Sequence, residues 1–149
     1  MKFFAYNENL DEQMTYVQRR IKKLMNGEIA SQLAVAGINY PKLFGVSLVH
    51  LRQLSQEVKV SNELADRLWH RNIRETMILA TMAVQRDSIS DEQLMDWAEG
   101  LNNLELAEQM AFNLLEENQL RSNYRKVDAA CSVLCPVCCP YGAGLAVSL

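Results

Sequence analysis

Ser61-Asn62-Glu63-Leu64-Ala65-Asp66-Arg67-Leu68-Trp69-His70-Arg71-Asn72-Ile73-Arg74-Glu75-Thr76-Met77-Ile78-Leu79-Ala80-Thr81 is the stretch whose reading decides the fold. Leu64, Leu68 and Trp69 share one helical stripe, and Ser61 or Asn62 stands where an N-cap belongs. After a break at Arg71-Asn72, the apolar positions Ile73, Met77, Ile78, Ala80 and Thr81 resume at helical spacing. Two short helices meet here at a tight connector, the second helix of one antiparallel pair and the first helix of the next.

The same grammar extends in both directions. Upstream, Met14, Val17, Ile21, Leu24 and Met25 mark a first helix, with Asp11 and Glu12 early and Arg19, Arg20, Lys22 and Lys23 late, the order a helix dipole favours. Asn26-Gly27 stops it, and a short helix over about 28–36 ends at Gly37. Ser47 caps a helix carrying Leu48, Leu51 and Leu54. Downstream, Ser90-Asp91-Glu92-Gln93 and Asn102-Asn103-Leu104-Glu105 read as capping boxes, opening helices with Leu94, Trp97 and Leu101 and then Leu104, Ala107, Ala111 and Leu114 with Met110 flanking. No stretch alternates with a period of two, so the fold class is all-α. The pairs near 47–71 and 73–101 recur at HEAT-like spacing, which predicts a helical-repeat superhelix over residues 1–128. A compact helical bundle has the same periodicity.

Charge is unevenly spread. The 149-residue chain carries a net of −3, but residues 1–86 hold 12 basic and 8 acidic side chains, a net of +4. Residues 87–117 hold nine acids and no Lys or Arg, and residues 118–149 hold three bases and one acid. A polyanion would meet the first half and be repelled by the segment after it. Lys22, Lys23, Arg52, Arg71 and Arg74, with Arg67, are candidates for a phosphate-contacting stripe, against the alternative of ordinary solvated cations paired with Glu63, Asp66 or Glu75. His50 and His70 lack a partner at metal-ligand spacing, and neither a Gly-rich phosphate loop nor a Ser-His-Asp pattern is present, so no metal and no cofactor are expected. Trp69 and Trp97 sit in register with Leu68 and Leu94 and read as core.

Residues 129–149 form an uncharged tail of 21 residues with Cys131, Cys135, Cys138 and Cys139. Adjacent Cys138 and Cys139, with Pro136 and Pro140, suit a metal site poorly, and the prolines and glycines weaken any spanning helix, so no membrane role is expected. The tail reads as a degenerate last helix, or as a sticky patch serving self-association or a protein partner. No export signal opens the chain, which predicts a cytoplasmic protein with free thiols.

Gly45-Val46-Ser47-Leu48-Val49-His50-Leu51-Arg52-Gln53-Leu54 resembles the "GVxxxxLRxxA" signature of AlkD-like DNA alkylation repair glycosylases. Asn62 to Trp69 resembles their "HELAxxLW", and Ile73 to Ala80 their "IHEARILA". Met95-Asp96-Trp97 and Ala107 to Leu114 fit the next two helices, so the resemblance runs from about residue 24 to 115. It implies a HEAT-like α-solenoid whose basic concave face holds duplex DNA, and hydrolysis of the N-glycosidic bond of alkylated purines. In the family a carboxylate and Trp rings stabilise the cationic transition state. On the matching positions here the Trp is Leu104 and the Asp is Glu108, the Arg of "HEARILA" is Met77 and its His is Arg74. Family members are longer, with later helices that residues 116–149 do not resemble. The expectation is a duplex-binding relative with weakened or lost base excision, in which Glu108 is the candidate catalytic carboxylate. The alternative is a non-catalytic helical scaffold for protein or DNA.

Overall fold

The computed structural model describes residues 4–38, 40–59 and 61–115. Among them the chain forms seven α-helices, one 3-10 turn and no strand, so the all-α reading stands. The Cys-containing tail and its expected last helix lie outside the described residues. The chain divides into two compact units, residues 1–89 and 90–149.

The first unit begins with α1, Glu8–Lys23, capped by the Asn7 side chain, which accepts from the Leu10 amide. Its buried stripe is Leu10, Met14, Val17 and Ile21, the three- and four-residue spacing of an amphipathic helix. Asn26 does more than stop this helix. Its side chain accepts from the Glu28 and Ile29 amides and so starts α2, Gly27–Val35. After a connection over residues 36–47 come α3, Leu48–Glu57, and α4, Asn62–Trp69, capped by Ser47 and Ser61. Next is α5, Arg74–Ala83, and the turn Arg86–Ser88.

Helix α5 organises this unit. Nine of its ten residues are buried, with only Met82 partly open, the signature of a helix enclosed on every side. It packs against α3 and α4, and α1 packs on α4. Leu51 and Leu54 of α3, Leu64 and Leu68 of α4 and Ile78 and Leu79 of α5 are essentially sealed from solvent. Each such side chain contributes roughly 1.5–3 kcal/mol of transfer free energy. Trp69 joins this core.

The second unit contains α6, Asp91–Glu99, and α7, Leu104–Leu115. Ser90 caps α6 by accepting from the Gln93 amide at 3.1 Å. At α7 the capping side chain is Asn103, which accepts from the Leu106 amide at 2.9 Å. Among the described residues of this unit the buried apolar positions are Leu94, Trp97, Ala98, Leu106 and Met110.

Candidate nucleic-acid interface

The construction of the candidate surface starts from a buried acid. Glu75, in the first turn of α5, is fully enclosed. Its carboxylate accepts from three consecutive backbone amides of the α2–α3 connection: Phe44 at 3.0 Å, Gly45 at 2.9 Å and Val46 at 3.2 Å. The neighbouring Arg74 side chain, also buried, donates through Nη1 to Glu75 at 3.3 Å and to the Val46 carbonyl at 2.9 Å. A carboxylate is tolerated there because amide dipoles and a guanidinium replace the water it has lost. Gly45 is required at the middle amide. It has φ 74°, and a Cβ there would stand 2.0 Å from the Asn26 carbonyl oxygen and 2.7 Å from the Ala30 nitrogen.

Two further backbone hydrogen bonds pin the same loop on both sides. The Asn26 amide donates to the Phe44 carbonyl at 2.9 Å, and the Arg74 amide donates to the Lys42 carbonyl at 3.0 Å. At most about 7 Å of chain separates residues 42 and 44. The turn between α1 and α2, the loop 42–46 and the turn between α4 and α5 therefore meet at one edge of the first unit.

Three of the candidate cations, Lys22, Lys23 and Arg71, lie within four residues in sequence of these joined backbone positions. Lys22 and Lys23, both exposed, close α1 four and three residues before Asn26. Arg71, also exposed, precedes Arg74 by three residues in a turn whose Asn72 adopts φ 53°. Arg52 is exposed on the second turn of α3, the helix that follows directly from Val46-Ser47. Arg74 was expected to join them at the surface, but its guanidinium is enclosed and holds the loop instead. Arg67 is likewise spent inward. It bridges Asp11 at 3.0 Å and Glu63 at 3.3 Å, donates to the Ala5 carbonyl and lies over the Phe4 ring at 5.5 Å. His70, which reads in the sequence as lacking an acidic partner, has one at i,i+4 spacing: its Nδ1 lies 2.9 Å from the Asp66 carbonyl and 3.4 Å from the Asp66 carboxylate.

Elsewhere on the first unit, the Tyr16 hydroxyl donates to Glu57 at 2.6 Å and Arg20 donates to the other carboxylate oxygen at 2.9 Å. The Tyr16 bond, then the Arg20 bond, hold the Glu57 carboxyl below its usual range, while the same hydrogen bond to Glu57 pushes the Tyr16 phenol up. This trio ties α1 to the end of α3.

In the second unit, Glu108 is exposed on α7. Leu104 and Phe112, one turn to either side on the same face, are each about half exposed, at 48% and 50%. Trp97 is fully buried and offers no ring to a ligand.

A family model described as DNA alkylation repair enzyme matches residues 12–129, from the second turn of α1 through the whole of α7. The chain belongs to this family. No curated protein and no solved structure matches it.

Membership gives the motifs a physical meaning. The stretches that resemble the DNA alkylation repair signatures, Gly45-Val46 and Arg74-Glu75, are the two halves of one buried lock, and they act on the frame before they act on any ligand. In the sequence Glu75 reads only as a surface partner for the cations, whereas in the structure it is buried. The partners of Glu75 are backbone amides, which carry no residue signature, and Lys42 sits in what reads as a plain loop after Pro41. No helix among the described residues is long and apolar enough to cross a membrane.

Proposed function

We propose that the chain acts in DNA alkylation repair by binding duplex DNA, with Lys22, Lys23, Arg52 and Arg71 contacting backbone phosphates. The observation that supports this reading is the backbone bonding of the 42–46 loop to the Asn26 and Arg74 amides, beside the end of α1 that carries Lys22 and Lys23 and the turn that holds Arg71. Such contacts position a duplex without reading its sequence. The helix pairs are proposed to stack in the HEAT-like manner, and the protein to work inside the cell. Glu108 is the proposed carboxylate for N-glycosidic cleavage, where negative charge would stabilise the oxocarbenium character that develops on the sugar. Leu104 in place of an aromatic ring supports base excision that is weak or lost, because an apolar side chain offers no π face to a cationic base.

The scaffold reading draws on α7, whose half-exposed Leu104 and Phe112 give it an apolar stripe suited to a protein partner. One experiment separates the readings. Duplex binding is measured by anisotropy across a salt series, and release of 7-methylguanine from an alkylated duplex is measured in parallel. Four phosphate contacts give a log–log salt slope of about −3.6. A flat response removes the DNA reading and leaves the scaffold. Binding without release leaves a duplex-binding protein that has lost excision.

A further inference from the structure

We infer that Lys42 is a further phosphate-contacting residue, placed between the Lys22–Lys23 turn and the Arg71 turn, and that its ligand is a phosphodiester of the nucleic-acid backbone. The inference rests on the duplex-binding reading above and adds to it a contact that no charge pattern in the sequence singles out.

Three observations carry it. The first is position. The Lys42 carbonyl receives the Arg74 amide, and two residues on, the Phe44 carbonyl receives the Asn26 amide, so Lys42 is fixed at the seam between the two cation-bearing turns. The second is preorganisation. Its backbone is held, and its ammonium lies 5.2 Å from the centre of the Phe44 ring while the residue stays exposed. A cation already restrained over a ring loses less freedom on binding than a free-swinging lysine. The third is charge. Among the described residues no carboxylate pairs with Lys42, Arg71, Lys22 or Lys23, so none of these cations is neutralised by a direct ion pair; Glu28, exposed in the first turn of α2, is the acid nearest in sequence to Asn26. One strand of a duplex presents a phosphate every 3.4 Å or so of its axis, a spacing dense enough for neighbouring cations on one edge to reach successive groups. A lysine that merely packs on Phe44 would leave the salt dependence of binding untouched.

The test compares wild type, Lys42→Met, Lys42→Arg and a control, Lys59→Met, an exposed cation outside this edge. Affinities for two duplexes of unrelated sequence are measured by anisotropy from low to moderate salt. Lys42→Met keeps the aliphatic stem against Phe44 and is expected to lower the magnitude of the log–log slope by about 0.9, equally for both duplexes. Lys42→Arg restores the slope, and Lys59→Met leaves it at the wild-type value. Lys42→Gln gives the same reading if the Met variant has an altered unfolding midpoint. A wild-type slope in both Lys42→Met and Lys42→Gln, or a loss that Arg does not restore, overturns the assignment and leaves the duplex-binding reading standing. A flat slope in the wild type overturns both.

Discussion

The Glu75 carboxylate accepts the Gly45 amide at 2.9 Å across thirty residues of chain. The bond joins the first turn of the most buried helix to the loop that is also tied to the Asn26 and Arg74 amides. Breaking it is expected to cost stability before it touches function. Glu75→Ala leaves three amides without their acceptor and takes from the buried Arg74 guanidinium its counter-charge, and should destabilise the fold by about 3–5 kcal/mol. Urea unfolding followed by circular dichroism reads this directly, and a loss under about 1 kcal/mol would contradict the lock.

Gly45→Ala should be damaging for a different reason. Strain at φ 74° costs of order 1–3 kcal/mol for a residue with a Cβ. The overlap with the Asn26 carbonyl adds to it, because both atoms belong to backbone that has little room to yield. The thermal unfolding midpoint should fall well below that of wild type. A midpoint unchanged within error would mean the loop has another seat.

Arg71 and Arg74 make a paired prediction. Arg71→Gln, at an exposed side chain, should leave stability within about 0.5 kcal/mol while lowering the magnitude of the salt slope for duplex binding by about 0.9. Arg74→Gln should do the opposite in kind, destabilising by about 3–5 kcal/mol through the buried Glu75 left behind. Measuring unfolding and binding on both variants checks the assignment. Reversed outcomes would place the surface cation at 74.

The Tyr16–Glu57–Arg20 trio predicts a pH dependence. Glu57 has a lowered pKa in the folded chain, so its contribution is present above the ordinary carboxylate value and is lost as pH falls through the lowered one. Tyr16 has a raised pKa, so its contribution is present below the ordinary phenol value and is lost as pH rises through the raised one. In Tyr16→Phe the Glu57 carboxyl should titrate closer to its usual range. Carbon-detected NMR of the side-chain carboxyls follows this, and an unshifted Glu57 in the variant would argue against the hydrogen bond.

Glu108→Gln should leave the fold intact, since the side chain is exposed. If the wild type releases 7-methylguanine, the variant should lose that release while keeping its affinity for duplex. Equal release from both proteins would move the chemistry to another residue.

Much of the frame was legible in the sequence because it is locally encoded. Ser47, Ser61 and Ser90 cap the helices they precede, and Leu64, Leu68 and Ile78 fall on stripes that the 3.6-residue period marks as core. Asn26 was half legible: Asn-Gly reads as an ending, yet the same side chain begins the next helix. Arg74 and Glu75 were misleading for a physical reason. Charged residues in a first helical turn usually face water, and only the loop thirty residues earlier makes their burial affordable. The apolar stripe of α5 resembles that of any amphipathic helix, so its enclosure on all sides had no local mark either.

Because a single carboxylate grips three amides in a row, the segment 44–46 is held by count more than by composition. Side chains at Phe44 or Val46 can be exchanged without moving an N–H, whereas one residue inserted or deleted there shifts the whole register past its acceptor. Natural drift and protein engineering should therefore find this connection permissive to replacement and closed to changes in length.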